Sequence, residues 1–469
     1  MAHVVGVGML RFGKLPDRGI KALAAEVLER TLADAGLGRG DVEAVWFSNS
    51  GWGMNGGQDC IRGQVALRGA GISGVPIVNV ENACAGGATA LHGAVLGVTS
   101  GAYEVALAIG VEKLFQPSRL RTFASFLGGM DVEALPELMA KAEELRRAAP
   151  PPPRELPEAR SPRREAGRRA ARPGLGEVPR QLLDALAIAD HFRLDVAGLV
   201  GDALRARLAG KGKGGGGDHS PFMDVYAVGA RRHMARYGTT QRQLAVIAAK
   251  NHGHGALNPL AQIRRPMTPE EVLVDREVAA PLTRSMCAPI GDGAAAALVC
   301  SERYARRHGL GRAVRVRASV VASGARDGGG DLIEAIAVRA SRRAYELAGL
   351  GPAEIHLAEV HDATAFGELH QSEALGFAPE GGGGALAESG ATAIGGRLPL
   401  NPSGGLECRG HPIGASGLAQ IHELVQQLRG EAGARQVAGA RLALAQNGGG
   451  FLGEEEAAMA VHVLEGSVS

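Results

Sequence analysis

The two halves of this chain follow the same predicted order of strands and helices. In each half an apolar strand leads into a tight turn of small residues, and a helical pattern begins directly after the turn. The first of these units carries Cys84 and the second carries His411. Loops at the carboxyl ends of strands form the ligand sites of open α/β sheets. The sequence therefore predicts an α/β protein of two duplicated halves, packed in layers, with one site between them.

Cys84 lies at the turn of the first unit. The apolar run from Val75 to Val80 predicts a strand, and the residues from Ala85 to Thr99 predict a helix that begins with small side chains. A helix N-terminus presents free N–H groups and the positive end of its dipole, which would favour a thiolate at Cys84. A lone cysteine between a strand and a helix is also a common packing residue. This stretch alone leaves both interpretations open.

Three motifs in the C-terminal third favour the reactive interpretation. His361 follows the apolar run from Ile355 to Val360, at the end of a predicted strand. His411 lies in the Gly-rich stretch from Asn401 to Gly417, directly before another predicted helix. The stretch from Gln446 to Gly450 is predicted to be a Gly-rich loop after a further strand. A thiol, two loop histidines and a loop with free N–H groups supply the nucleophile, the base and the oxyanion donors of covalent acyl transfer.

These motifs together resemble the thiolase family. The match runs from end to end of the chain except for a central insertion, and its most specific part is the Gly-His-Pro loop at His411 together with the turn at Cys84. His361-Asp362 stands in place of the more usual Asn-Glu pair, which points to the sterol-carrier-protein-type branch. The resemblance implies a thiolase-like fold, an acyltransferase with coenzyme A as substrate, no tightly bound cofactor or metal, and at least a homodimer.

The resemblance also implies how the chain is divided. The expected units are an N-terminal thiolase half (1–113), a loop domain that covers the site and holds coenzyme A (114–284), a return to the N-terminal half (285–308) and a C-terminal thiolase half (309–469). Coenzyme A is expected to contact Ser285, Met286 and His252. The site is expected to lie where loops from both halves converge.

Two stretches of the expected loop domain have a composition that cannot bury a core. The residues from Arg146 to Arg172 include nine arginines against three glutamates, with proline throughout, and Lys211 to Asp218 is rich in glycine. Such composition predicts an extended or flexible chain. The basic insertion is either a solvated surface segment or a contact for the phosphates of coenzyme A or for an acidic partner.

The resemblance assigns a role to each motif. Cys84 is the nucleophile, and His411 is its base, because a histidine's unperturbed pKa of about 6.5 suits proton exchange near neutrality. His361 donates to the thioester oxygen of the enolate, in a first oxyanion hole. The N–H groups of Cys84 and Gly448 form the second oxyanion hole, around the oxygen of the acyl enzyme.

The second catalytic cysteine of common thiolases is missing. In most members it belongs to a Cys-x-Gly motif, which aligns here with Gln446-Asn447-Gly448. In the sterol-carrier-protein branch it follows the histidine by two residues, and that position here is Ala363. The candidates for a replacement acid/base are Cys408, Asn447, Thr364, a tyrosine such as Tyr226, and the substrate itself.

Composition excludes several other classes of protein. A net charge of +2, from 51 basic and 49 acidic residues, and an aromatic content of 4% argue against nucleic-acid binding. Five cysteines without CxxC spacing fit a reducing compartment, with Cys60, Cys287 and Cys300 expected to be structural. The pair His252 and His254 has no third ligand nearby in the sequence, so no metal site is expected. Because no apolar run approaches the roughly 18–20 residues of a membrane span, no membrane contact and a cytoplasmic location are expected.

The sequence leaves several functions open within this family. The leading hypothesis is a coenzyme-A-dependent thiolase that acts on a bulky, branched or aromatic 3-ketoacyl-CoA, in lipid or aromatic degradation. Its basis is the atypical acid/base set and the altered loop domain. The alternatives are a ketosynthase-type condensing acyltransferase, a retro-aldol lyase, and a thiolase-like subunit of a complex with a small OB-fold, zinc-ribbon partner.

Overall fold

The computed structural model describes residues 1–116, 122, 125–134, 221–325, 335–452 and 455–466. The strands within these ranges are β1 (Ala2–Met9), β2 (Ala44–Ser48), β3 (Ile77–Val80), β4 (Val105–Glu112), β5 (Glu277–Ala279), β6 (Leu282–Thr283), β7 (Gly293–Ser301), β8 (Val314–Ser323), β9 (Leu357–Glu359), β10 (Leu442–Leu452) and β11 (Glu455–Glu465). The Arg/Pro-rich insertion and the Gly-rich stretch from Lys211 to Asp218 lie outside the described residues.

The helices of the described ranges surround these strands. They are α1 (Ile20–Ala35), α2 (Trp52–Gly56), α3 (Arg62–Leu67), α4 (Gly86–Thr99), α5 (Pro221–Tyr237), α6 (Gln241–Leu257), α7 (Pro269–Leu273), α8 (Glu302–Arg307), α9 (Ile336–Ala348), α10 (Ala365–Ala374), α11 (Gly383–Glu388), α12 (Gly405–Arg409) and α13 (Ser416–Leu428). Helix α1 has the predicted bounds because its buried leucines, isoleucine and valine recur on one face, and Gly36 ends it in the left-handed conformation that caps many helices.

One large mixed sheet runs through both halves of the molecule. Its order is β3-β2-β4-β7-β1-β8-β11-β10-β9, and β1 meets β8 through the pairs His3–Arg315 and Val4–Val314. A parallel bridge between Ala358 and Leu400 continues the sheet beyond β9. The strands on the two sides of the β1–β8 junction therefore follow the same spatial order. This mixed α/β architecture confirms the predicted thiolase-like fold.

Helices α4 and α13 pack against each other in the core that joins the halves. Leu91 of α4 and Leu418 of α13 are fully buried in one cluster with residues from β1, β4, β7 and β10. Burying a leucine side chain contributes roughly 1.5–3 kcal/mol. The two helices can begin this close together because Gly87 has no side chain, since a Cβ there would lie 2.9 Å from the Gly414 carbonyl oxygen. The turns that precede the two helices are thereby brought face to face.

One local prediction differs from the structure. The residues from Gln446 to Gly450 belong to β10 and do not form the predicted loop. Two helices, α2 and α6, contain glycines. Helix α2 begins where the Asn49 side chain accepts the Trp52 N–H (3.1 Å). Helix α6 continues to Leu257 and carries His252 and His254, which are both buried; tertiary packing outweighs the helix-weakening effect of its glycines.

Helices α5, α6 and α7 form a cover over the cavity between the halves. Their apolar residues pack in a separate cluster with α10, around Leu244, Val272 and Phe366. No helix in the described ranges has the length and apolarity needed to cross a membrane.

Candidate active site

Cys84 lies in a single 3₁₀ turn, Ala83–Ala85, between β3 and α4. Ala83 adopts a positive φ of 45°, so the chain turns sharply enough to aim the sulfur away from the strand. The sulfur faces His411 of the opposite half, with 3.1 Å between Sγ and Nε2. The structure thus brings together the two residues that the sequence predicted as nucleophile and base.

Ser416 fixes the tautomer of His411. The Ser416 hydroxyl donates to the Pro412 carbonyl (3.0 Å), so its oxygen accepts from Nδ1–H of His411 (2.7 Å). Nε2 is then the unprotonated nitrogen, and it accepts the S–H of Cys84. Ser416 is a functional residue that the sequence motifs did not reveal, although it follows His411 by five positions in the same Gly-rich stretch and could have been considered there.

The thiol and the imidazole are both neutral in the resting site. Burial, together with Glu81 and Glu112, raises the pKa of Cys84 to about 12. Burial, together with His361 and Arg409, lowers the pKa of His411 well below its usual value. Desolvation of the Cys84 thiol therefore outweighs the helix N-terminus, which on its own would favour a thiolate. Nε2 of His411 is the acceptor placed to receive the proton of the Cys84 thiol.

His361 lies beside Cys84 and His411, and its ring proton is on Nε2. The Asn447 amide donates to Nδ1 of His361 (2.9 Å), which leaves the ring proton on Nε2. The rings of His361 and His411 meet edge to face, 5.2 Å apart. The Cys84 sulfur, one ring nitrogen of His361 and one ring nitrogen of His411 all lie within 4.8 Å of one another. Burial, with Arg409, lowers the pKa of His361 to about 3, so it can donate a hydrogen bond as a neutral ring.

The backbone donor beside Cys84 is Gly450. The sequence placed this donor at Gly448, but the N–H that hydrogen-bonds the sulfur comes from two residues later. Gly450 has a φ of 64°, and the β10–β11 ladder passes from the pair Gly449–Ala458 to the pair Phe451–Glu456 without it. Its N–H is therefore turned out of the ladder and toward the turn of Cys84. Gly448 pairs with Met459 and lines the cavity.

Cys84, His361 and His411 open into a cavity of about 810 Å³. Its entrance carries cationic side chains, and its inner wall carries aromatic ones. The cationic residues are Lys14, Arg265, Arg276 and Arg284, and the aromatic residues are Phe115, Phe126, Phe222, Tyr226 and Phe451. Glu271 and Asp275 line the same cavity and pair with Arg265 (2.9 Å) and Arg284 (3.6 Å), so the mouth carries charges of both signs. A cavity of this size with an apolar interior suits a large ligand with an apolar end.

Comparison with known proteins identifies the family. A family model described as "Thiolase, N-terminal domain" matches residues 2–141, and one described as "Thiolase C-terminal domain-like" matches residues 322–463. An acetyl-CoA acetyltransferase of Methanothermobacter thermautotrophicus is 34% identical to this chain, over 98% of each protein. This chain belongs to the thiolase family. Sterol carrier protein 2 of Bos taurus is 32% identical, over 95% of this thiolase and 69% of that protein.

Two further comparisons concern relatives named as parts of complexes. The benzoylsuccinyl-CoA thiolase subunit BbsB of Thauera aromatica is 30% identical, over 93% of this thiolase and 91% of that protein. The solved structure of the Ltp2-ChsH2(DUF35) aldolase matches with a TM-score of 0.67 at 21% identity, over 99% and 97% of the two chains, and shows the shared fold. The family models and the named thiolases make this thiolase an acyltransferase.

Three of the predicted replacements for the second acid/base, Cys408, Thr364 and Asn447, do not line the cavity of this thiolase. Cys408 is fully buried and packs against Gly255, because the helix α12 that carries it turns its thiol away from the cavity. The Thr364 hydroxyl accepts the Gly367 N–H (3.2 Å) as the cap of α10. The Asn447 amide donates its hydrogen bond to the His361 ring. Of the candidates named, Tyr226 lines the cavity.

The predicted coenzyme A contacts separate into two groups. Ser285 and His252 line the cavity, although both ring nitrogens of His252 already face backbone carbonyls, those of Arg265 and Ser285. Met286 is fully buried in the core of the cover, so its assignment as a ligand contact is wrong. Cys287, expected to be structural, lines the cavity, and its thiol donates to the Thr283 carbonyl (3.4 Å).

Proposed function

We propose that this thiolase is a coenzyme-A-dependent acyl-CoA C-acyltransferase that cleaves or forms a 3-ketoacyl-CoA through an acyl-Cys84 intermediate. The observation that carries the proposal is the 3.1 Å contact between Cys84 Sγ and the unprotonated Nε2 of His411, at the inner end of the large cavity. A neutral thiol that loses its proton to an adjacent base during attack is an activated nucleophile.

Cleavage begins when Cys84 attacks the keto carbon. His411 takes the thiol proton through Nε2, and Ser416 accepts a hydrogen bond from Nδ1–H of the resulting imidazolium. The keto oxygen becomes an oxyanion beside the N–H groups of Cys84 and Gly450. Removing one such donor from other enzymes costs about 3–4 kcal/mol of transition-state stabilisation.

Breaking the carbon–carbon bond then produces an enolate thioester. The Nε2–H of His361 is the donor for the enolate oxygen, because Asn447 keeps Nδ1 of that ring as an acceptor. A neutral imidazole with its pKa held low remains a donor without losing its proton to the enolate. Free coenzyme A finally attacks acyl-Cys84, and His411 returns its proton to the sulfur.

The cavity supports the substrate class that the sequence suggested. The lysine and arginine side chains at the entrance can pair with the phosphates of coenzyme A. The rings of Phe222 and Phe451 lie 5.5 Å apart, and those of Tyr226 and Phe451 lie 5.6 Å apart, which forms an aromatic wall. Such a wall favours a bulky, branched or aromatic acyl group over a short linear one.

We also propose that this thiolase is at least a homodimer and works with a small OB-fold, zinc-ribbon partner. One relative is named as a subunit, and the structural neighbour is named together with a DUF35 protein. Co-expression with neighbouring open reading frames, followed by gel filtration, tests this. A fully active homodimer without any co-eluting protein would exclude the need for a partner.

The test of the function is thiolysis with purified protein. A panel of linear, branched and aromatic 3-ketoacyl-CoA esters is mixed with free coenzyme A, and products are separated by liquid chromatography. The expected result is two shorter acyl-CoA products from at least one bulky ester, no products with Cys84→Ala, and full activity with Cys60→Ala, which changes an exposed cysteine. Cleavage without coenzyme A would indicate a lyase, and reaction only with acyl carrier protein esters would indicate a ketosynthase-type enzyme.

A further inference from the structure

The structure changes which residue of this chain corresponds to the missing cysteine. In the Cys-x-Gly motif of common thiolases, the cysteine precedes the glycine by two residues. Because the N–H beside Cys84 belongs to Gly450, the motif falls on Gly448-Gly449-Gly450 and not on Gln446-Asn447-Gly448. The position without a thiol is therefore Gly448, which lines the cavity but has no side chain.

The Glu456 side chain fills the space beside Gly448. A Cβ built on Gly448 would lie 3.1 Å from Oε1 and 3.2 Å from Cγ of Glu456. Glu456 comes from β11, across the hairpin from Phe451, and its half-buried carboxyl group lines the same cavity as Cys84 and His361. A carboxyl group from the neighbouring strand thus lies where a side chain at position 448 would begin.

The Glu456 carboxyl has the properties of a group that can gain and lose a proton. Among the described residues, Gln371 is the side chain that donates to it, with 3.1 Å between Nε2 and Oε1. Burial raises the pKa of Glu456 to about 7, where a general acid/base is most effective near neutrality. The Tyr226 phenol lies near it and near Cys84, since both raise the pKa of that phenol after the larger effect of burial.

Glu407, another carboxyl group in the cavity wall, does not suit this role. It is fully buried, and burial together with Asp362 and Glu368 raises its pKa well above the usual value. This shift disfavours the carboxylate form of Glu407, which is the form that would accept a proton from coenzyme A. Glu407 belongs to α12 and lines the same cavity as Ala363 and Cys287.

We propose that Glu456 is the second acid/base of this thiolase and replaces the missing cysteine at position 448. The proposal rests on the thiolase reaction proposed above. It explains why both cysteine positions of the family can be vacant in a chain that keeps Cys84, His361 and His411.

The cycle balances with Glu456 protonated at the start. As the carbon–carbon bond breaks, its electron pair forms the enolate, and Glu456 gives its proton to the α-carbon, which releases the shortened acyl-CoA. The Glu456 carboxylate then takes the thiol proton of incoming coenzyme A. The new thiolate attacks acyl-Cys84, the Cys84 sulfur leaves with the bond electrons, and it recovers its proton from His411. Every group returns to its starting state.

The test compares Glu456→Gln with a matched control, Glu346→Gln, on the outer surface of α9. For the wild type, kcat/KM for the 3-ketoacyl-CoA should fall as pH rises through about 7, and kcat/KM for coenzyme A should fall as pH falls through about 7. Glu456→Gln should lower kcat by about 10²- to 10³-fold with little change in KM, and should remove both pH effects. The control variant should retain the wild-type rates and profiles.

A rescue variant separates chemistry from folding. Glu456→Ala clears the space in front of position 448, and Gly448→Cys in that background restores the thiol of common thiolases. The double variant should regain at least 10-fold over Glu456→Ala alone. The proposal is overturned if Glu456→Gln stays within threefold of the wild type with both pH effects intact, or if the double variant folds and gains nothing. A wild type that cleaves no 3-ketoacyl-CoA and forms no acyl-Cys84 would instead overturn the proposed function.

Discussion

The two halves of the molecule share one order of strands but contribute different chemistry to the site. The N-terminal half supplies the sulfur of Cys84, at a turn of small residues. The C-terminal half supplies the groups that exchange or donate protons in the proposed cycle, His361, His411 and Glu456. In the proposed cycle, the N-terminal half therefore carries the covalent intermediate, and the C-terminal half carries the groups that transfer protons.

The two halves also differ in the surroundings of a buried carboxyl group near the site. Glu112 of the N-terminal half accepts hydrogen bonds from the Asn49 amide and from the N–H groups of Ser50, Gly51, Lys113 and Gly414. A carboxylate surrounded by donors in this way has a structural role, since it joins the turn before α4 to the loop of His411. Glu456 accepts a side-chain hydrogen bond from Gln371 among the residues that the structure describes, and in the proposed cycle its oxygens are available for a substrate proton. The number of donors, more than burial, separates the structural carboxylate from the proposed catalytic one.

The largest effect is expected from removing the base of the C-terminal half. His411→Ala should lower kcat/KM for thiolysis by about 10³-fold or more, because the thiol, with its pKa raised to about 12, then has no acceptor for its proton. The measurement is thiolysis of the best ester between pH 7 and 10. If the variant keeps more than a tenth of the wild-type activity at pH 7, the division between the halves is incorrect.

A smaller loss of activity is expected from removing the Asn447 side chain that orients His361. Asn447→Leu keeps a similar volume but removes the donor to Nδ1 of His361, so the ring proton can move away from Nε2. We expect kcat to fall about 10²-fold with KM nearly unchanged, as for loss of one oxyanion donor. Asn447→Asp, which cannot donate when ionised, should be equally slow above pH 5. Wild-type kcat in either variant would exclude Asn447 as a positioning residue.

The buried His462 of β11 should make stability depend on pH. Burial lowers its pKa to about 3, while the unfolded chain binds a proton there near pH 6.5, so stability is lost as pH falls below about 6.5, by about 2 kcal/mol at pH 5. Buried carboxyl groups with a raised pKa, such as Glu359, gain stability over the same range, so the measurement compares the wild type with His462→Gln. Between pH 7 and pH 5 the difference in unfolding free energy should move by about 2 kcal/mol in favour of the variant. An equal pH dependence of the two proteins would contradict this.

The smallest effect is expected at the link between the halves. Glu112→Gln removes one acceptor oxygen and turns an amide toward N–H donors, which should cost about 1–3 kcal/mol of stability. It should also lower kcat/KM about 10-fold, because the Gly414 N–H (3.1 Å) no longer holds the loop of His411 in place. Thermal unfolding and thiolysis measure the two effects. An unchanged rate together with lowered stability would show that Glu112 serves the fold alone.

The sequence predicted those parts of the fold and site that lie on continuous stretches. The turn at Cys84, the loop of His411 and the bounds of α1 depend on local patterns of small, apolar and capping residues, and these could be recognised in the sequence. Ser416 belongs to the same stretch as His411, and spacing alone could have found it.

The remaining features depend on contacts between distant residues. The Gly450 donor depends on how β10 passes the turn of Cys84, and the Glu456 position depends on pairing across a hairpin. The neutral state of Cys84 depends on burial by both halves together. A sequence pattern carries no direct measure of burial or of strand register, so these three features required the structure.

The most direct test of covalent transfer is intact-protein mass spectrometry after mixing the protein with acyl-CoA and 3-ketoacyl-CoA esters. We expect a mass increase equal to one acyl group on the wild type and on Cys60→Ala. The increase should be absent from Cys84→Ala and should disappear when free coenzyme A is added. Turnover of an ester by the wild type without any adduct, or an adduct that persists in Cys84→Ala, would contradict covalent transfer through Cys84.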